Sequence, residues 1–171
     1  MYSWQITKFE PGESPLFVKE EWSAAKQLEY FYDETEQENS FFGIEDDYID
    51  VISLFMDELN ITALTVCELE KYNEYYGIRE LSRSYSKYYP DEMTEVFENI
   101  SEGDSLTLDK IESVCKLIMR THMWCVLKSD KLEVRFGNDS NMFITSSEPC
   151  KRALAHAKEI DVNISENNLV F

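Results

Sequence analysis

The sequence predicts an α+β fold, a single domain over residues 1–171 with an antiparallel sheet and helices packed mainly on one side. Three observations carry that expectation. Short segments of alternating polarity stand at the start and in the last third of the chain. Between and after them run segments with helical apolar spacing. No repeat period or low-complexity linker divides the chain.

In chain order, Tyr2, Trp4, Ile6 and Phe9 alternate closely enough with Ser3, Gln5 and Thr7 for a half-buried strand, which Pro11-Gly12-Glu13-Ser14-Pro15 ends as a loop. Trp22, Leu28, Tyr30, Phe31 and Tyr32 precede the acidic run Asp33-Glu34-Thr35-Glu36-Gln37-Glu38-Asn39-Ser40. That run reads as an exposed loop, with Phe41 and Phe42 returning the chain to the core. The clearest helix is 44–59, where Ile44, Tyr48, Val51, Ile52, Phe55 and Leu59 recur on one face. Glu45, Asp46 and Asp47 then fall in its first turn, where they complement the positive end of the helix dipole.

A β-branched strand is expected over 61–69, running into a short helix through Tyr76 that Gly77 breaks. Pro90 with Asp91 and Glu92 opens another short helix, with Met93, Val96, Phe97 and Ile100 inward. Thr107 caps a strong helix over 108–121 whose buried face is Leu108, Ile111, Cys115, Ile118 and Met119. Strands follow at 123–127, 132–136 and 142–145, separated by turns at Ser129-Asp130-Lys131 and Gly137-Asn138-Asp139. Pro149 opens a last helix over 149–159, with Ala153, Leu154, Ala157 and Ile160 inward. Val162, Ile164 and residues 169–171 supply edge strands.

Charge is the most unusual property of the chain. Its net charge is -18, yet 43% of residues are hydrophobic and 13% aromatic, so the acidity belongs to a folded surface rather than a disordered tail. Residues 1–112 hold 27 acids and 8 bases; residues 113–171 hold 7 acids and 8 bases. The whole excess therefore sits in the first two thirds. On the helix over 44–59, Asp46, Asp50, Ser53 and Asp57 line the face opposite the apolar one. Like charges at i, i+4 destabilise a helix by about 0.2–0.5 kcal/mol per pair, so this stripe opposes folding. Acidity serves solubility in many proteins, but then both signs are interspersed along the chain. A field of this size repels nucleic acid and anionic membrane and attracts a basic protein.

Catalytic and cofactor signals are absent from the sequence. No Gly-rich phosphate loop or Gly-flanked serine occurs, and the five glycines are scattered. His122 and His156 lack metal-ligand spacing, and His122 is placed at a helix end, where a cation suits the negative dipole. Cys67, Cys115, Cys125 and Cys150 form no CxxC pair; they read as reduced core residues, with the apolar strand around Cys125 raising its thiol pKa. An EF-hand loop started at Asp33 would place Glu38 where glycine is needed and Ile44 where Glu is needed, so no calcium loop is present. Paired carboxylates could do acid–base work, but among 34 acids chance pairs abound. No cofactor and no metal site is expected. Tyr72, Tyr75, Tyr76, Tyr85, Tyr88 and Tyr89 interleave with Arg79, Arg83 and Lys87, and acids surround these bases, so a core or a protein interface is the reading rather than a nucleotide-stacking surface, with core ahead of interface. The N-terminus lacks the basic and apolar regions of a signal peptide, and a cytoplasmic location is expected.

Several ordered pieces together resemble a family of small acidic bacterial proteins of the toxin-immunity type, partners of polymorphic or contact-dependent-inhibition toxins. These are Met1-Tyr2-Ser3-Trp4-Gln5-Ile6-Thr7-Lys8, Lys19-Glu20-Glu21-Trp22 and the segment 44–69 ending Glu68-Leu69-Glu70. Further pieces are Ser105-Leu106-Thr107-Leu108-Asp109-Lys110-Ile111, Trp124-Cys125-Val126-Leu127, Phe136-Gly137-Asn138-Asp139 and Met142-Phe143-Ile144. The resemblance implies binding and occlusion of a cognate toxin domain, often a basic nuclease, and brings no catalytic residues. Asp33, Glu34, Glu36 and Glu38, with Asp46, Asp50 and Asp57, are the expected partner-binding surface. A DNA mimic of the antirestriction type is the alternative, in which carboxylates stand in for phosphates. A third reading is an enzyme using carboxylates that no motif organises.

Overall fold

The first strand, β1 (Tyr2–Thr7), enters an antiparallel sheet near its far edge. In the computed structural model the described residues are 1–8, 35–72, 77–137, 141–160 and 162–166, with only the backbone course given over 35–42. Helix α1 spans Thr35–Leu59 and leads to β2 (Leu64–Lys71). Two short helices, α2 (Ile78–Ser84) and α3 (Asp91–Asn99), and the two-residue strand β3 (Ser105–Leu106) follow. Helix α4 (Leu108–Met119) precedes the meander β4 (Met123–Lys128), β5 (Leu132–Phe136) and β6 (Met142–Ser146). Helix α5 (Lys151–Ala157) and strand β7 (Asn163–Glu166) complete the order.

The sheet runs β3-β2-β4-β5-β6-β1-β7, and each pair is antiparallel. This is the expected α+β architecture. Register explains its single dry face, because alternate residues of a strand point the same way. Trp4 lies opposite Ile144, Ile144 opposite Val134, and Val134 opposite Leu127, which lies opposite Val66. All five are buried. Against that row pack Val51, Ile52, Phe55 and Leu59 of α1, with Trp4 and Phe55 at a ring-centroid distance of 5.3 Å. From α4 come Ile111, Val114, Cys115 and Ile118.

Helix α1 ends where Asn60 takes a left-handed conformation (φ 54°) and Ile61 N–H donates back to the Met56 carbonyl at 2.8 Å. Asparagine tolerates that conformation better than most residues, and the back-bond satisfies a terminal carbonyl. Strand β2 carries a bulge between Cys67 and Glu70, with Glu68 at φ 55°. The Glu102 carboxylate accepts both freed amides, Glu68 N–H at 2.9 Å and Leu69 N–H at 2.8 Å.

The structure corrects several sequence expectations. The acidic run is not a loop from residue 35 onward: α1 begins at Thr35, because Glu and Gln are good helix formers and acids near the N-terminus suit the dipole. Glu45, Asp46 and Asp47 consequently lie well inside the helix rather than in its first turn. Strand β2 begins at Leu64 and runs to Lys71, and residues 73–76, where the short helix through Tyr76 is expected, lie outside the described residues. Helix α2 was not expected. Leu108 is 38% exposed, because it leads α4 before the helix reaches the sheet. Thr107 occupies the N-cap position, but its hydroxyl donates to the Asp109 carboxylate rather than accepting an amide. Phe9, residues 11–15, residues 22–34, Tyr75, Tyr76, Asn138, Asp139 and residues 169–171 lie outside the described residues.

Candidate functional site

Helix α1 places its described acids in contrasting environments, and the contrast follows from helical phase. Glu45 falls on the apolar face with Tyr48 and Ile52, so its side chain is driven inward and is 0% exposed. There it meets Arg120, just past the end of α4. Arg120 Nε donates to Glu45 Oε2 at 2.8 Å and Arg120 Nη2 donates to Oε1 at 2.7 Å, a two-point ion pair. Arg120 Nη1 donates to the Tyr88 carbonyl, and the guanidinium lies 5.0 Å from the centroid of the Tyr89 ring. The Tyr89 hydroxyl in turn reaches His122 Nε2 at 2.8 Å. Burial raises the Glu45 carboxyl above its ordinary range, while the Arg120 guanidinium pulls it back. The network ties α1, α4 and the turn before α3 together, and its work is structural.

Two more acids of α1 are also spent on the fold. Asp47 Oδ2 accepts from Lys8 Nζ at 2.7 Å, which fastens the end of β1 to the helix. Glu58 accepts the amide N–H groups of Arg152 (3.4 Å) and Ala153 (2.6 Å) at the start of α5. These amides have no partner within their own helix, so the carboxylate satisfies them.

The remaining acids form the expected stripe. Asp46, Asp50 and Asp57 are all exposed. Asp46, with a side chain 65% exposed, reaches Lys116 Nζ at 3.4 Å, but Lys116 is held more closely by Glu112 at 2.8 Å. Asp50 and Asp57 have no cation within ion-pair distance among the described residues. Partial burial, then the negative charges of Asp46, Asp47 and Glu112, raise the Asp50 carboxyl above its ordinary range. Among the described residues this stripe is left mostly without compensating charge. Glu36 and Glu38 continue the same helix, so their backbone positions join the stripe's element, though their side chains lie outside the described residues. Asp33 and Glu34 are also outside them.

Other candidates settle into the core. His122 is buried and lies beyond α4, its backbone N–H donating to the Leu117 carbonyl at 2.9 Å, so its ring packs against Tyr89 rather than facing the helix dipole from outside. Burial pushes the Cys125 thiol up to about 12 and raises the Cys115 thiol as well. Tyr89 is buried, Tyr85 and Tyr88 pack against the core, and Tyr72 is exposed. Among the described residues no group of three or more His, Cys, Asp or Glu side chains could hold a metal ion, and no helix is long and apolar enough to cross a membrane.

The Glu45–Arg120 pair was missed at the level of sequence, although one signal existed. An acid at position 45 breaks the apolar face that Tyr48, Ile52 and Phe55 continue, and an inward acid demands an inward base. No family model, no curated protein and no solved structure matches the chain.

Proposed function

We propose that this chain is an immunity-type inhibitor that binds and covers a basic protein, in the first instance a cognate toxin domain of nuclease type, inside the producing cell. The observation that carries the reading is the outward face of α1, where Asp46, Asp50 and Asp57 stand exposed and Asp50 and Asp57 have no cation among the described residues. Proteins normally intersperse signs on a helix face, since a lysine at such positions stabilises the helix. Keeping carboxylates there costs stability and gains a field that accelerates encounter with a basic surface. The resemblance of short segments of the chain to toxin-immunity proteins accords with the same reading.

Co-expression tests it. The product of the adjacent gene should arrest growth alone and should be neutralised when this chain is present. Asp46→Lys, Asp50→Lys and Asp57→Lys together should lower affinity for that product at least tenfold and flatten its salt dependence. Full protection by the triple variant would remove the stripe from the interface. Competition with DNA on several unrelated DNA-binding proteins would replace the reading with that of a DNA mimic.

A further inference from the structure

Two grooves border α4, and they differ in charge. The groove against α1 is internally balanced: Arg120 answers Glu45, and Lys116 answers Asp46 and Glu112. The second lies between α3 and α4, with a volume of about 510 Å³. Its floor is apolar, made by Val96 and Ile100 of the α3 end and Leu106 of β3. Its rim carries the carboxylates of Glu92, Glu95, Asp104, Asp109 and Glu112 against one ammonium, Lys110. Some rim acids have local partners: Asp104 accepts the Ser101 amide, Asp109 accepts the Thr107 hydroxyl, and Glu112 meets Lys116. Glu92 and Glu95 are exposed, with no cation partner among the described residues. Elsewhere on α3 the contrast is plain, since Glu98 takes a two-point bond from Arg79.

We infer that this groove is the docking site for a lysine- or arginine-bearing segment of the basic partner, with an aliphatic side chain seated on the floor. The inference deepens the proposed function and rests on it. An aliphatic side chain covers the floor of Val96, Ile100 and Leu106, while neighbouring basic side chains, flexible on their methylene stems, carry their charged heads to the carboxylate rim. A bare metal ion would leave that floor unused. Nucleic acid and anionic lipid are repelled by the rim. A second copy of this chain is repelled too, because each copy carries a net charge of -18. A basic amphipathic segment satisfies both floor and rim.

The test uses the full chain and two fluorescent peptides of equal charge, one a helical peptide of lysine and leucine, the other of lysine with serine. Fluorescence anisotropy should show tighter binding of the leucine peptide. Glu92→Lys with Glu95→Lys should weaken that binding about tenfold, and Lys110→Glu should tighten it about threefold. Asp46→Lys, Asp50→Lys and Asp57→Lys together should change it less than either. Because Lys110→Glu predicts a gain, a poorly folded variant cannot imitate the expected result; far-UV circular dichroism checks each variant. Equal binding of the two peptides, no binding of either, or an unchanged affinity in the Glu92/Glu95 variant overturns the groove. Growth protection separates the two ideas. A chain that binds the leucine peptide through the groove but does not protect cells loses the immunity reading and keeps the groove. One that protects cells equally well with Glu92 and Glu95 reversed, and binds the peptide unchanged, loses the groove alone.

Discussion

Glu45 and Asp50 stand little more than one turn apart on α1 and have opposite surroundings. Glu45 is sealed from water and held at both oxygens by Arg120, whereas Asp50 is exposed and faces Asp46, Asp47 and Glu112. One carboxylate is inseparable from the fold and the other works against it. The difference lies in the reach of a base from another element. Helix α4 delivers Arg120 to one side of α1 and only Lys116, already claimed by Glu112, to the other. An acidic residue on this helix is thus structural where another element brings a closely held cation or unpaired amides to it, as for Glu45, Asp47 and Glu58, and is open to a partner where none of the described residues does, as for Asp50 and Asp57.

The sharpest way to break that contrast is to remove the base. Arg120→Ala leaves a carboxylate buried without its partner and should cost about 3–5 kcal/mol, read from urea unfolding. Replacing both members, Glu45→Met with Arg120→Met, should recover much of that loss, since an apolar pair of similar volume needs no compensation. A loss in Arg120→Ala no larger than that of an ordinary surface substitution would mean that the pair is not load-sharing and that Glu45 is as dispensable as Asp50.

A smaller effect is expected one step along the same network. Tyr89→Phe removes the hydroxyl that reaches His122 Nε2 and should destabilise the chain by about 1–2 kcal/mol, because a buried polar nitrogen loses that bond. Thermal unfolding of Tyr89→Phe alone and combined with Arg120→Ala checks the coupling. Strictly additive losses would show that ring and guanidinium do not act as one network.

How much of this was legible in the sequence varies with the range of the interactions involved. The apolar face of α1 and the strands of the meander depend on local periodicity, and they stand where periodicity placed them. Exposure of Asp46, Asp50 and Asp57 follows from the same phase. Three features do not follow from it. The start of α1 at Thr35 is hidden because residues 35–40 carry no apolar spacing, only helix-forming acids and amides. Glu45 acquires its role from Arg120, 75 positions away, and the β2 bulge is satisfied by Glu102, more than thirty positions from Glu68 and Leu69. Local pattern shows that Glu45 points inward; only tertiary packing says what it meets there. The acidic groove between α3 and α4 was illegible for the same reason, since Glu92 and Glu95 of α3 share it with Asp109 and Glu112 of α4.

The mildest perturbation tests the other half of the contrast. The Asp50 carboxyl is raised by partial burial first and by its negative neighbours next. A folded-state pKa above the unfolded one means that ionising Asp50 costs more in the folded chain than in the unfolded one. Its favourable contribution is therefore complete below the unfolded pKa and is lost as pH rises through the folded value. Asp50→Asn is neutral throughout, so at pH 7 it should stabilise the chain, by about 0.3 kcal/mol given that the group is largely in water. Well below the unfolded value of about 3.9, where the wild-type carboxyl is protonated in both states, that gain should vanish. Urea midpoints at the two pH values decide it. A gain of the same size at both would trace to side-chain propensity rather than charge. A loss at pH 7 would mean that Asp50 has a cation to lean on, and the free side of α1 would shrink to Asp57.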